Sequence, residues 1–253
     1  MSVLNSFILA FSTYSRLPMP QVDTSMQNRK YVLCFFPLVG VVIGALMMLW
    51  FWFCEALRFG SFLKGVVGAA LPLFITGGIH MDGFMDTVDA LASWGTRERR
   101  LEILKDSHSG AFSVIQCVIY FAAMSGILSE ATQEMTFCIG AIFLASRAVS
   151  AGTSVFFTQA RTDGMLANTI RPTQKRAVII SDVAYIVVCS MVWMLYSVWI
   201  VVLCLFVLAG WTFYYRRMAY QRFGGITGDL AGWLLQTIEL FCITTVVVGG
   251  KLL

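Results

Sequence analysis

Three aspartates in one short stretch of the sequence are spaced so that they could bind a metal ion. Asp82, Asp86 and Asp89 lie four and three residues apart in Gly-Gly-Ile-His-Met-Asp-Gly-Phe-Met-Asp-Thr-Val-Asp-Ala, residues 77–90. At about 100° per helical residue, the three carboxylates fall within an arc of roughly 60° on one face. Like charges stacked in this way destabilise a helix, and a divalent cation with oxygen ligands would remove the repulsion. The spacing therefore predicts a metal site; the alternative is a solvated helix face beside a membrane.

The composition indicates that these acids belong to an integral membrane protein. Of the 253 residues, 58% are hydrophobic and only 13% are charged. Several uncharged runs approach or exceed the ~20 residues that are needed to cross a bilayer. The runs are continuously apolar rather than alternating, which is typical of helices and not of a barrel. We expect an all-α fold, a polytopic helical membrane bundle that forms a single catalytic domain over residues 1–253.

The apolar runs predict about seven transmembrane helices, preceded by an N-terminal interfacial helix within residues 1–17. The run of residues 178–215 carries one charge, Asp182, and is long enough for two short spans that turn near Tyr196 and Ser197. The spans are expected at about 31–53, 62–79, 111–128, 134–157, twice within 178–215, and 229–250. The seven cysteines lie mostly within these segments without a Cys-x-x-Cys pair, which predicts neither disulfides nor a cysteine metal site.

The basic residues provide a test of this count, because positively charged loops remain on the cytoplasmic side of a membrane. With seven spans, all of the 18 lysines and arginines fall on one side except Arg58, Lys64, Lys251 and the intramembrane Arg147. One mistaken span would scramble this asymmetry. We therefore expect the side that carries the basic residues, and with it the aspartate stretch, to be cytoplasmic.

The same topology brings Asp106, Asp229 and His80 to the side of the three aspartates. Acids that hold Mg²⁺ or Mn²⁺, surrounded by arginines, are what phosphate chemistry requires. The turn Gly-Gly-Ile-Thr-Gly-Asp, residues 224–229, leads into a helix and leaves backbone N–H groups for a phosphate, although glycine before a helix is more often only a turn. His80 is expected to form a hydrogen bond rather than to ligate a metal. The candidate phosphate-binding residues are Arg147, Arg161, Gly225, Thr227 and Asp229.

Two charges lie within predicted spans. Arg147 and Glu239 are expected about 15 and 12 Å from the cytoplasmic ends of their helices. Intramembrane charges are costly and are usually paired or functional. The sequence leaves two interpretations open: the two residues pair with each other, or Arg147 faces a cavity and contacts a substrate phosphate.

Three segments together resemble the cobalamin synthase family, the adenosylcobinamide-GDP ribazoletransferases. They are the 77–90 stretch, Arg-Leu-Glu-Ile-Leu-Lys-Asp-Ser-His-Ser-Gly-Ala-Phe at 100–112, and the glycine turn at 224–229. Arg147 in its apolar setting and Arg161 with Gly164 are also similar to the family pattern. The resemblance covers nearly the whole chain in length, order and topology.

The resemblance implies an Mg²⁺-dependent step late in cobalamin biosynthesis, at the bacterial inner membrane. α-Ribazole or its 5′-phosphate attacks adenosylcobinamide-GDP, GMP leaves, and adenosylcobalamin or its phosphate forms. On this basis Asp82, Asp86 and Asp106 are expected to hold the metal, and Asp89 completes the site or acts as a base. The expected catalytic residues are His80, Asp82 and Asp89.

Two other functions are compatible with acids on a membrane helix. A CDP-alcohol phosphotransferase shares the stacked aspartates, but its motif has an Ala-Arg pair after Asp-Gly, whereas Phe84 and Met85 follow Asp82 and Gly83 here. A metal-ion transporter usually binds its ion near the membrane midplane, whereas these acids are predicted at one edge. The expected partners are the two substrates and the lipid bilayer, without nucleic acid, and a homo-oligomer is left open.

Overall fold

The computed structural model describes residues 2–106 and 108–252, and the regular elements within them are all helical. Ser107, which belongs to the second motif, lies outside the described residues. The helices in chain order are α1 (Ser2–Tyr14), α2 (Met26–Arg29), α3 (Val32–Ala56), α4 (Ser61–Thr76), α5 (Ile79–Ala92), α6 (Arg97–Ile103), α7 (Ala111–Glu130), α8 (Thr136–Phe156), α9 (Met165–Ile170), α10 (Lys175–Met194), α11 (Val198–Phe223) and α12 (Gly228–Leu252).

The number of membrane-crossing helices agrees with the sequence prediction. In the described part of the chain, six helices are long and apolar enough to span a bilayer: α3, α7, α8 with the turn before it, α10, α11 and α12. Counting α4 and α5 as one bent span gives seven. The turn between α10 and α11 falls at residues 195–197, where Ser197 accepts a hydrogen bond from the Trp199 N–H (3.2 Å) and begins α11. The polytopic helical fold is therefore confirmed.

Two glycines separate the apolar helix α4 from the aspartate helix α5. Gly77 and Gly78 have φ values of +65° and +83°, a region that side chains with a Cβ rarely adopt. The chain consequently turns by 100° between the two helices. The second span ends at Thr76, three residues before the predicted end, and α5 runs nearly perpendicular to it. Within this bent pair we therefore treat α4 as the part that crosses the membrane, and α5 as its continuation across one end of the bundle, outside the crossing part.

The centre of the bundle is formed by α3, α8 and α12. Glycines allow α3 and α8 to approach closely: a Cβ at Gly40 would lie 2.1 Å from the Phe143 carbonyl oxygen, and one at Gly44 would lie 2.7 Å from the Gly140 carbonyl oxygen. Close contact through small residues is the usual way in which helices associate in a membrane. This core supports α5 and the N-terminus of α12 at one end of the molecule.

Candidate active site

The glycine within the aspartate stretch brings α5 against α12. A Cβ at Gly83 would lie 2.9 Å from the Asp229 backbone, and a Cβ at Gly232 would lie 2.9 Å from the His80 carbonyl oxygen. Neither contact could be relieved by a side-chain rotation, because the opposing atoms are backbone. The two helices therefore touch only because both positions lack a side chain, and this contact sets Asp82 beside Asp229.

A cavity of about 280 Å³ opens beside this contact. It is bounded by α1, α3, α5, α8, α9 and α12 and by the loops around residues 159–164 and 226–228. The polar side chains in its lining are Tyr14, His80, Asp82, Ser150, Ser154, Gln159, Arg161, Asp163, Thr227 and Asp229. The cavity thus combines acids, one arginine and several neutral hydrogen-bonding groups.

Asp86 lies one turn beyond Asp82 on α5 and is half-buried. Burial raises the pKa of its carboxyl group to about 7, and the negative charges of Asp82, Asp229, Asp89 and Asp106 contribute in the same direction. Five aspartates from three parts of the chain therefore act on one another at this end of the bundle. A bound cation would relieve the repulsion.

The donor set suits a hard cation that also binds the substrate. In residues 2–106 and 108–252, no three His, Cys, Asp or Glu side chains are placed to hold a metal by themselves. Asp82 and Asp86 make no hydrogen bond or ion pair in this part of the chain. Mg²⁺ is usually bound through one or two carboxylates, with water and substrate phosphate oxygens as the other ligands. Two free carboxylates beside a cavity fit that pattern.

Asp89, in contrast, caps the N-terminus of α7. One carboxylate oxygen accepts the Gly110 N–H at 2.5 Å, and the other accepts the Ser113 N–H at 2.9 Å. A carboxylate at a helix N-terminus satisfies free N–H groups and interacts favourably with the helix dipole. A Cβ at Gly110 would lie 2.6 Å from the carboxylate, so the glycine of the Ser-Gly-Ala-Phe sequence is needed for this cap.

Asp106 lies on the exposed segment between α6 and α7. Its carboxylate accepts the His108 N–H at 3.0 Å and lies 2.8 Å from His108 Nδ1. These hydrogen bonds lower the pKa of Asp106. His108 is exposed, and neither residue lines the cavity.

The glycine turn before α12 is tied to the loop after α8. The Ile226 N–H donates to the Thr158 carbonyl at 2.9 Å, and the Ala160 N–H donates to the Ile226 carbonyl at 2.8 Å. The Gly225 N–H donates to the Ala219 carbonyl at 3.2 Å, so this amide is already engaged within the chain. The residues of the turn that line the cavity are Ile226, Thr227, Gly228 and Asp229.

Thr227 and Arg161 both orient Asp229. The Thr227 hydroxyl accepts the Leu230 N–H at 3.2 Å, which caps α12, and donates to the Asp229 carboxylate at 3.2 Å. Arg161 donates to the same carboxylate oxygen at 3.2 Å. Because Arg161 is partly exposed to the cavity, its guanidinium group is available to an anion there.

His80 is buried in the cavity wall. Its ring lies nearly parallel to that of Tyr14, with centroids 6.3 Å apart, and 5.7 Å from that of Phe36. Nε2 of His80 has no hydrogen-bond partner in the described residues. Burial, together with the positive charge of Arg147, lowers the pKa of His80 to about 3. The imidazole is therefore neutral at physiological pH.

Arg147 and Glu239 form an ion pair inside the bundle. Their side chains are each 1% exposed, and Arg147 Nη1 lies 2.7 Å from Glu239 Oε1. Arg147 also donates to the Phe143 carbonyl at 2.9 Å, and the Ser146 hydroxyl donates to Glu239 at 2.9 Å. The sequence left two interpretations open, and the structure agrees with the one in which Arg147 and Glu239 pair with each other. Arg147 does not line the cavity and is not in position to contact a substrate phosphate.

Several cavity residues were not singled out from the sequence. Ser150 and Ser154 lie four residues apart on one face of α8, and this spacing of hydroxyl groups near the end of a span was the signal that could have indicated them. Tyr14 comes from α1, which was expected only to lie at the membrane interface. Gln159 and Asp163 belong to a loop without a diagnostic pattern. Their placement depends on how the loop folds back over α8 and α12.

Comparison with known proteins identifies similar sequences along nearly the whole chain. A family model described as cobalamin-5-phosphate synthase matches residues 6–247. A Lachnoclostridium phytofermentans protein named adenosylcobinamide-GDP ribazoletransferase is 40% identical over 249 residues, covering 98% of this chain and 95% of the relative. Proteins of the same name from Clostridium botulinum (strain Alaska E43) and Halalkalibacterium halodurans are 26% and 29% identical, each over 94% of this chain and over 95% and 93% of the relatives. No solved structure matches the chain.

Proposed function

The chain belongs to the cobalamin-5-phosphate synthase family, and we propose that it is a membrane transferase that joins α-ribazole, or its 5′-phosphate, to adenosylcobinamide-GDP. GMP is released, and adenosylcobalamin or its phosphate is formed, late in cobalamin biosynthesis. The observation that carries the proposal is the cavity in which Asp82, Arg161 and Asp229 meet at the end of a helical bundle. The carboxylate of Asp82, which has no partner in the described residues, and the nearby Arg161 suit a diphosphate that is bound together with a cation.

We assign Mg²⁺ to Asp82 and Asp86. When bound, Mg²⁺ supplies positive charge to the diphosphate oxygens and to the departing GMP. The assignment is supported by the absence of hydrogen bonds and ion pairs at both carboxylates within the described residues and by the raised pKa of Asp86. Asp106 is at most an outer member of the site, because it pairs with the exposed His108.

We assign Arg161 to the diphosphate. Arginine binds phosphate oxygens through paired hydrogen bonds, and its charge does not depend on pH in the physiological range. Asp229 and Thr227 hold the guanidinium group at the cavity wall, so their role is to position Arg161.

Asp89 is assigned a positioning role rather than the role of a base. Both of its oxygens accept backbone N–H groups at the start of α7, so the carboxylate is already engaged as a helix cap. By capping α7, Asp89 fixes the orientation of α5 against α7. Its loss should therefore affect the site through the geometry of α5.

We further propose that the site faces the cytoplasm from a bacterial inner membrane. The support is the asymmetry of the basic residues, since only Arg58, Lys64 and Lys251 of the cations outside the membrane interior are assigned to the other side. The substrates would then reach the site from the compartment in which nucleotides are made.

The test is an assay of the purified protein in detergent or in liposomes with adenosylcobinamide-GDP, α-ribazole and Mg²⁺. We expect a cobalamin product and GMP in equal amounts, loss of both with a chelator, and recovery when Mg²⁺ is restored. Turnover that persists with the chelator would reject the metal assignment alone. Absence of product, combined with metal flux into sealed vesicles without nucleotide, would reject the transferase in favour of a transporter.

A further inference from the structure

Three buried polar side chains in the cavity have no partner for their hydrogen-bonding groups. His80, Ser150 and Ser154 are 6%, 4% and 3% exposed, and all three line the cavity. In the described part of the chain, the Nε2 atom of His80 is buried without a hydrogen-bond partner. The Ser150 and Ser154 hydroxyls also make no hydrogen bond there, although they are not among its fully buried polar atoms. Buried polar groups in proteins are almost always satisfied, and leaving one without a partner is costly. A group of three around one cavity therefore indicates a ligand with matching donors and acceptors.

This neutral polar group lies deeper in the cavity than the charged residues. Asp82 and Asp163 are exposed, and Arg161 and Asp229 are partly exposed, whereas His80, Ser150 and Ser154 are buried. His80 and Asp82 both belong to the first turn of α5, and both line the cavity. We call His80, Ser150 and Ser154 the floor of the cavity; the charged residues lie at its mouth.

The size of the cavity and the chemistry of its floor indicate which part of the proposed substrates it binds. A volume of about 280 Å³ is near the lower end of small-molecule pockets, which are typically ~300–1,000 Å³. A corrin ring with its amide side chains is far larger, whereas a nucleoside is of suitable size. Guanine carries several donors and acceptors, while the dimethylbenzimidazole of α-ribazole offers one free ring nitrogen and otherwise apolar edges. Three unpartnered polar groups match guanine better.

The aromatic neighbours of His80 support the same occupant. The rings of Tyr14 and Phe36 surround the imidazole, which makes the wall suitable for a planar heterocycle. The buried Nε2 atom of His80, which has no hydrogen-bond partner in the described residues, offers a hydrogen-bonding position to such a base.

We propose that the cavity binds the guanosine half of adenosylcobinamide-GDP, with guanine on His80, Ser150 and Ser154, the diphosphate at Asp82 and Arg161, and the corrinoid outside the cavity. This inference rests on the proposed function for the identity of the nucleotide. It makes the floor residues determinants of nucleotide specificity. GMP, the leaving group, would occupy the same floor before its release.

The test is the binding of GMP alone to the purified protein, measured by calorimetry without any corrinoid. The double variant Ser150→Ala and Ser154→Ala removes two unpartnered hydroxyls, so it should remain folded while its affinity for GMP falls at least tenfold. The apparent KM for α-ribazole should change less than twofold. AMP should bind the parent protein at least tenfold more weakly than GMP. The matched control is Ser190→Ala, because in the described residues that hydroxyl donates to the Ile186 carbonyl of its own helix and does not line the cavity.

His80→Gln is a second variant, which keeps a polar group at this position. It should lower the affinity for GMP without abolishing binding. Unchanged GMP affinity in the floor variants would overturn the inference, as would a loss that falls on α-ribazole instead. These outcomes are separable from failure of the proposed function. A protein that forms product while its floor variants bind GMP normally would refute the guanine site alone. A protein that forms no product but binds GMP through the floor would retain the nucleotide site and lose the transferase.

Discussion

Asp82 and Asp86 are one turn apart on α5, yet they occupy different environments. Asp82 is exposed and lines the cavity, whereas Asp86 is half-buried, and the negative charges of four other aspartates help to raise its pKa. An exposed carboxylate stays hydrated until a phosphate-bound cation arrives, while a half-buried one is destabilised in the absence of the cation. The two residues should therefore respond differently to the same chemical change.

Asp82→Asn should lower kcat on the order of 10²-fold or more, because it removes a metal-ligating charge beside the reacting diphosphate. The protein should remain folded, since Asp82 is exposed and has no partner in the described residues. GMP release and thermal unfolding in detergent measure the two effects. Glu102→Gln is a suitable control, because Glu102 is an exposed acid whose one ion-pair partner among the described residues is Arg99. Near-normal turnover of the Asp82 variant would reject its assignment.

Asp86→Asn should inactivate the enzyme but stabilise the metal-free protein at alkaline pH. A carboxyl whose folded pKa is raised to about 7 contributes stability below its ordinary pKa near 4, and this contribution is lost as the pH rises through 7. Asparagine does not ionise, so the variant does not lose this stability as the pH rises. With a chelator at pH 8, the variant should unfold roughly 2–4 °C higher, corresponding to about 1 kcal/mol after allowance for solvent screening.

The stabilising effect of Asp86→Asn should shrink at pH 5, and Mg²⁺ should stabilise the parent protein more than the variant. Thermal unfolding at the two pH values, with and without Mg²⁺, provides the measurement. A variant that is less stable than its parent at pH 8 without metal would show that repulsion among the acids is not what Asp86 experiences.

Among the helices, the contact between α5 and α12 controls the geometry of the site. The aspartates on α5 meet Asp229 because Gly83 and Gly232 let the two backbones touch. The sequence motif Asp-Gly-Phe-Met-Asp is thus partly a packing motif: its acids supply the chemistry, and its glycine supplies the contact that brings them to the second helix.

Gly83→Ala should separate α5 from α12, because the new Cβ would lie 2.9 Å from the backbone of Asp229. We expect the free energy of unfolding to fall by about 1–3 kcal/mol. We also expect the activation free energy of turnover to rise by more than this amount. Gly210→Ala is the matched control, because Gly210 lies on α11 and a Cβ there would meet no atom of the described residues within 4 Å. Thermal unfolding and GMP release would be measured for both. Full activity of the Gly83 variant would contradict the role given to the helix contact.

The ion pair between Arg147 and Glu239 joins α8 to α12 below the cavity. Arg147→Ala alone would leave Glu239 buried without its partner, and the expected cost is about 3–5 kcal/mol. The exchange Arg147→Glu with Glu239→Arg should recover much of the folded protein and of the activity. Yield after size-exclusion chromatography and GMP release test both. Recovery of folding without activity would mean that the guanidinium at position 147 acts on the substrate.

At the scale of the whole molecule, the proposed orientation places the cavity and the basic loops on one side of the bilayer. Gly60 lies between α3 and α4, at the end opposite to the cavity, and Gln221 is exposed near the cavity end of α11. The seven native cysteines are free, and all except Cys117 are buried. Cysteines introduced at the two positions can therefore report on sidedness.

In intact cells, a membrane-impermeant maleimide should label Gly60→Cys at least tenfold faster than Gln221→Cys, which should react only after permeabilisation. A Cβ at Gly60 meets nothing within 4 Å, so this substitution should not perturb the fold. The parent protein controls for reaction of the native thiols. Labelling of Gln221→Cys from outside would place the cavity on the outer face and contradict the proposed cytoplasmic site.

The sequence by itself determined the membrane class, the approximate spans, the division of the run at 178–215 and the grouping of the aspartates with the glycine turn. These features follow from local quantities, because hydropathy, helix length and loop charge are properties of contiguous residues. The assignment of metal ligands from the same pattern stays a prediction, since spacing on a helix specifies a face but not the partners of that face.

Only the tertiary structure decided which helix faces meet. It paired Arg147 with Glu239, engaged Asp89 in the start of α7, and placed Ser150 and Ser154 beside His80. Each of these depends on contacts between residues far apart in the chain. Such contacts are set by the close approach of helices at small residues and by the 100° turn between α4 and α5, which no single segment encodes alone.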